Sequence, residues 1–137
     1  MIKLFKPTNT VYAHCDVPCG IYDPKPAQIA AATVLKMVEK ILAFPKEMSS
    51  TDMNNYIRAV TTKEDHARIC KTEILVLWTD FFKPEHLEKF PDLHDKVWKV
   101  SKLISKNKQS VDIEAAKELV ASVDEIAEIF AKAKAGA

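Results

Sequence analysis

Glycine is nearly absent from this chain, with two residues in 137 against seven prolines. Tight β-hairpins draw on glycine for their positive-φ positions, and no stretch alternates apolar and polar residues as a half-buried strand does. Long apolar runs are missing as well. The strongest, Ile74-Leu75-Val76-Leu77-Trp78, falls far short of the roughly 20 residues that a membrane-spanning helix needs. Charge of one sign is lacking: 20 basic residues meet 19 acidic ones, for a net +1. No cationic surplus is left to neutralise phosphates, so nucleic acid is not an expected partner. Cysteine is scarce and odd in number, three in all, which excludes a disulfide framework in a chain large enough to form a core without one. What is present is 47% apolar and 28% charged sequence, enough for one domain with one core. The expected class is a soluble, cytoplasmic, all-α protein.

Four amphipathic stretches carry the fold. The first follows Pro24 and Pro26, which suit a first helical turn, and places Val34, Leu35, Val38, Ile41 and Leu42 on one face before Pro45. A second opens after the capping cluster Ser49-Ser50-Thr51-Asp52. Its expected stripe is Met53, Ile57, Val60, Ala67, Ile74, Trp78 and Phe81, with a break or solvated turn at the polar residues 61–66 and a stop at Pro84. The third runs from about Pro91 through Leu93, Val97, Val100 and Ile104 into a lysine- and serine-rich loop at 105–110. The fourth starts near Asp112 and carries Ile113, Ala116, Leu119 or Val120, Val123, Ala127 and Phe130. Four such helices on short connections predict an antiparallel four-helix bundle, each stripe covered by its neighbours.

The first residues do not belong to this pattern. Lys3 and Lys6 interrupt an apolar stretch too short for a secretory signal, which leaves a trimmed propeptide or an ordinary frayed terminus for residues 1–13. Chemistry concentrates immediately afterwards, in His14-Cys15-Asp16-Val17-Pro18-Cys19-Gly20-Ile21-Tyr22-Asp23-Pro24. Two thiols and an imidazole lie within six residues, with Pro18 and Gly20 supplying bends around the second thiol. Three readings stand open on these residues. The cysteines are an idle pair or a small disulfide loop. They belong to a zinc site, although Cys70, His66, His86 and His94 are too scattered to complete it. Or the chain is cut between Ala13 and His14. The new amine and the Cys15 amide nitrogen then form one five-membered chelate ring, the amide and the Cys15 thiolate form a second, and Cys19 completes a planar N₂S₂ set. The His14 imidazole reaches an axial position. Tetragonal N,S donors suit nickel(II) or copper(II), whereas zinc has no preference for a plane.

The same eleven residues resemble the nickel hook of the nickel-containing superoxide dismutases. A second block is similar too: Leu77-Trp78-Thr79-Asp80-Phe81-Phe82-Lys83-Pro84, then His86, Glu88-Lys89-Phe90-Pro91 and Leu93-His94. The resemblance extends over essentially everything from His14 onward. It implies a propeptide at 1–13 removed by a processing protease, and a mature domain at 14–137 with its hook at 14–24 and its bundle at about 25–134. It implies a homohexamer and one nickel per subunit, cycling between Ni(II) and Ni(III) to convert superoxide to dioxygen and hydrogen peroxide. His14, Cys15 and Cys19 are the implied metal ligands; Tyr22, the tyrosine nearest them, either hydrogen-bonds small anions in a catalytic role or packs the hook on the bundle. Asp16, Pro18, Asp80 and Lys83 are the expected supports of the hook, Pro18 suiting a cis peptide. Three positions depart from relatives: Ala30 stands for a glutamate and His66 for an arginine, both of which support the axial histidine, and Phe81 stands for a common tyrosine. The competing functional class is a non-catalytic helical protein that buffers or delivers nickel or copper.

Overall fold

The computed structural model describes residues 20–136, and within them every regular element is helical. The main helices are α1 (Lys25–Leu42), α2 (Ser50–Val76), α4 (Leu93–Gln109) and α5 (Ile113–Ala135), with a short α3 (Pro84–Lys89) between α2 and α4. Helix α1 packs on α2 and α5, and α4 packs on the same two, which closes a four-membered ring around one core. Short connections at 43–49 and 110–112 make the α1–α2 and α4–α5 pairs antiparallel, as the sequence pattern predicts.

Local chemistry sets the helix starts. The Asp23 carboxylate accepts the Lys25 N–H at 2.8 Å, and Pro26 occupies the first turn of α1. Ser49 and Asp52 form a reciprocal capping box at α2: Asp52 N–H donates to Ser49 Oγ at 3.1 Å and Ser49 N–H donates to Asp52 Oδ2 at 3.0 Å. Asp112 caps α5 by accepting the N–H groups of Glu114 and Ala115.

Three sequence expectations are corrected. Helix α2 runs unbroken through 61–66, where Thr61 and Thr62 satisfy their hydroxyls by donating to the carbonyls of Ile57 and Arg58. Its buried face is Ala59, Lys63, Ala67, Cys70 and Ile74, while Met53 and Ile57 lie exposed. Close packing explains the rotation. Helix α1 presents Ala27, Ala30 and Ala31 to the same core cluster as Ala67 of α2, where small side chains allow close packing. The expected loop at 105–110 is the last turn of α4, which continues to Gln109. Its exposed carbonyl end is met from across the bundle by Lys63. That ammonium is 2% exposed and donates to the carbonyls of Asn107, Lys108 and Ser110.

The link between α2 and α4 is the least regular part. Residues Leu77–Phe81 form a π-helical turn, closed by Phe82 N–H donating to Leu77 O, five residues back, at 3.0 Å. Phe82 is extended, and Pro84 then starts α3, which the sequence pattern missed. A helix of six residues is too short to show a period.

Candidate metal centre

His14, Cys15, Asp16, Pro18 and Cys19 lie outside the described residues. What is described is the end of the eleven-residue motif and its attachment to the bundle. Gly20 has φ +70°, a left-handed conformation that a Cβ would strain even though the space around it is open. Three residues later the Asp23 carboxylate accepts the Lys25 N–H at the first turn of α1, beside the Pro24 N-cap. Between them Tyr22 is half-buried against the core, with its ring 5.8 Å from that of Phe81 at 58°.

Phe81 is the centre of an aromatic group. Its ring lies 4.3 Å from Phe130 and 5.1 Å from Phe82, and stacks on the His86 imidazole at 5.5 Å and 12°. The π-helical turn delivers Phe81 here, so the second sequence block and the end of the hook motif meet in space. Asp80, on the same turn, is exposed and accepts the Thr79 hydroxyl at 2.7 Å. The Lys83 side chain is exposed, while its backbone N–H donates to His86 Nδ1 at 3.0 Å. The structure therefore brings Tyr22 to the turn that carries Asp80 and leads into Lys83.

The other candidates fall elsewhere. Cys70 is fully buried in α2, where burial, seconded by the Glu73 carboxylate, pushes its thiol up to about 12. It is a neutral core residue, as its isolation in the sequence suggests. His94 is exposed and meets the Trp78 ring at 5.6 Å. His66 is partly buried, and its Nδ1 has no hydrogen-bond partner among the described residues. Ala30 lies in the α1 core at 1% exposure. Among the described residues no three His, Cys, Asp or Glu side chains converge as a metal site. Two residues that sequence reasoning underrated are His86, which it considers as a scattered zinc candidate, and Lys63, whose burial no local pattern signals.

The class of protein defined here is an all-helical bundle whose described N-terminal end packs Tyr22 on an aromatic cluster, preceded in sequence by a His-Cys-…-Cys motif. Residues 9–134 match the family model described as nickel-containing superoxide dismutase, so the chain belongs to that family. It is 39% identical over 132 residues to the superoxide dismutase [Ni] of Streptomyces seoulensis, with 96% of each chain covered. The superoxide dismutase [Ni] of Streptomyces coelicolor matches to the same extent. Among solved structures, native nickel superoxide dismutase superposes with a TM-score of 0.78 at 36% identity, over 88% of this chain and 99% of that one. A nickel-containing superoxide dismutase with nickel ligation corresponding to the oxidised state gives 0.79 at 38% identity, over 88% of this chain and 98% of that one. The chain is accordingly an oxidoreductase, a nickel-dependent superoxide dismutase on an all-α fold.

Proposed function

We propose that the nickel is held entirely by residues 14–19, after cleavage between Ala13 and His14. The donors are the new amine and the imidazole of His14, the amide nitrogen and thiolate of Cys15, and the thiolate of Cys19. Residues 14–137 are then the mature domain, with 14–24 as the hook. The observation that carries this reading is the anchored end of the motif. Gly20 turns the chain with φ +70°, Tyr22 seats on Phe81, and the Asp23 carboxylate accepts the Lys25 N–H, so the described chain that follows the motif's donors is tied to the bundle. The donor chemistry agrees, because thiolate and amide nitrogen in a tetragonal set suit nickel. Bound nickel supplies the one-electron couple that oxidises one superoxide to dioxygen and reduces the next, with two protons, to hydrogen peroxide.

The chain's own residues do the rest. The Tyr22 phenol orients the small anion from the bundle side of the hook. Asp16 and Pro18 shape the hook, and Asp80 and Lys83 brace it from the π-helical turn and the start of α3. The His14 imidazole is steadied without the glutamate and arginine of relatives, since Ala30 and His66 stand there. Superoxide is the only small-molecule substrate required. A processing protease, a homohexameric assembly and a cytoplasmic location complete the reading. No described helix is long and apolar enough to cross a membrane.

The test compares the 137-residue precursor, the chain beginning at His14, and Cys15→Ser and Cys19→Ser variants of the latter. Mass, nickel content and dismutation are measured on the same samples. Only the processed wild-type chain is expected to turn over, with one nickel per chain, while both serine variants lose activity and keep their helical content. Equal activity in the precursor would overturn the amine ligand, and near-normal activity in either variant would overturn the thiolate set. Stoichiometric nickel without turnover in the processed chain would point instead to a metal-buffering role.

A further inference from the structure

We propose that His86 is a positioning residue for Tyr22, acting through the ring of Phe81; the inference rests on the reading of Tyr22 as the group that faces the anion. Three rings besides Tyr22 touch Phe81, and they are not equivalent. Phe82 and Phe130 are core residues, 8% and 5% exposed, whose places are set by the bundle itself. His86 belongs to the short helix α3, is 9% exposed, and is the only polar side chain of the group. A buried polar ring costs free energy unless it is satisfied, and this one is used twice.

Its Nδ1 accepts the Lys83 N–H at 3.0 Å, which meets a backbone donor at the start of α3. The acceptor role leaves the proton of the neutral imidazole on Nε2. The same bond fixes the ring plane, which lies within 12° of the Phe81 plane. Phe81 is thus held flat from one side by a ring that cannot rotate without breaking a hydrogen bond. Tyr22 leans on Phe81 at 58° and 5.8 Å, so the orientation of its ring is inherited from that stack. An aliphatic residue at 86 would fill the volume but supply neither the acceptor nor the flat face. The π-helical turn makes the arrangement possible, because its extra residue carries Phe81 to Tyr22 while the chain swings out through Phe82 to α3.

Two substitutions separate the jobs, both made in the processed, nickel-loaded chain and repeated in its metal-free form. His86→Asn keeps an acceptor near the Nδ1 position and removes the stacked ring. His86→Phe keeps the ring and removes the acceptor. In protein carrying ¹³C-labelled tyrosine, His86→Asn is expected to raise the ring mobility of Tyr22. Tyr56, which rests edge-on against Phe44 between α1 and α2, is the internal control and should not change. Nickel content should stay at wild type, while kcat/KM for superoxide falls about tenfold, the scale of a modest misplacement of a reacting group. Adding Tyr22→Phe to His86→Asn should cost nothing further, because both changes remove the same phenol from its place. His86→Phe keeps the flat face and loses the bond that fixes its plane, so its Tyr22 ring order and activity should fall between those of wild type and His86→Asn, at lower thermal stability.

An unchanged Tyr22 ring in His86→Asn overturns the proposal. So does equal loosening of Tyr22 and Tyr56, which would mark a general loss of stability, and so does a His86→Phe variant as impaired as His86→Asn. Full turnover in Tyr22→Phe alone would sink the reading of Tyr22 as the anion-facing group. The ring-mobility comparison would still judge whether His86 positions it.

Discussion

Lys63 and Cys70 sit four and three positions from Ala67 on the same buried face of α2, and burial treats the two side chains in opposite ways. The Lys63 ammonium donates to three carbonyls around the end of α4 and lies 3.3 Å from Glu64 Oε1, so it stays paired inside the bundle. Replacing it with Met keeps the apolar stem and strands those carbonyls. We expect Lys63→Met to lower unfolding free energy by about 3 kcal/mol, the scale of losing a buried charged donor, with nickel content per folded chain unchanged. Urea unfolding followed by circular dichroism would show it, and an unaltered midpoint would count against the cap. The Cys70 thiol has no such partner and holds its proton to about 12, above its ordinary 9.0. The sign follows from linkage: the unfolded chain loses that proton first, so stability is full below pH 9 and declines as pH rises toward 12. In a Cys15→Ser/Cys19→Ser background, Cys70→Ala should remove this alkaline decline. A thiol reagent should reach Cys70 only on unfolding.

At the level of elements, the end of the molecule next to the proposed hook is assembled from irregular pieces. A left-handed glycine, a side-chain cap, a π-helical turn and a six-residue helix meet around Phe81, whereas the four long helices are regular. Gly20 is the piece most open to test. An alanine there meets no steric neighbour within 4 Å, so only its backbone preference opposes φ +70°. That preference is worth about 1–2 kcal/mol. The bundle does not depend on this turn, so the cost should appear in metal binding. We expect Gly20→Ala to melt near the wild-type temperature when metal-free and to bind nickel about tenfold more weakly. Calorimetric titration of the processed chain with nickel checks this, and unchanged affinity would show that the turn is not needed to present the donors.

At the scale of the whole molecule, the described helices form a scaffold that folds by apolar burial, and the proposed site precedes it in the chain. Among the described residues the core runs through Val34, Ile74, Leu93, Ile104, Leu119 and Ile126, closed by α1, α2, α4 and α5. Removing nickel from the processed enzyme should therefore abolish dismutation with little change in helical content, unlike small metal domains whose fold depends on the ion. Far-ultraviolet circular dichroism before and after chelation decides it, and a loss of helix on chelation would tie the bundle to the metal. Charge acts at this scale as well. Removing residues 1–13 takes away Lys3 and Lys6, leaving 18 basic against 19 acidic residues. Any attraction of superoxide must then come from local lysines near the hook.

The sequence by itself determined the helical class and three of the four main helix starts to within two residues, and it is the source of the proposed donor chemistry of the hook. These are local properties. Prolines 24 and 26, the Ser49–Asp52 box and the Asp112 cap act within one turn, and a chelate built from consecutive residues needs no fold to be legible. Only tertiary structure decided which face of α2 is buried. Apolarity favours Met53 and Ile57, but the buried face is Ala59, Lys63, Ala67, Cys70 and Ile74, with Ala67 sharing a core cluster with the alanines of α1. It also decided where α4 ends, because the cation that satisfies its last carbonyls arrives from residue 63, 44 or more positions away. And it alone placed His86 against Phe81 and Phe81 against Tyr22, since contacts between residues 22, 81, 86 and 130 depend on how the helices close around the core. Periodicity records which residues avoid water, and packing volume and long-range hydrogen bonds settle what they meet instead.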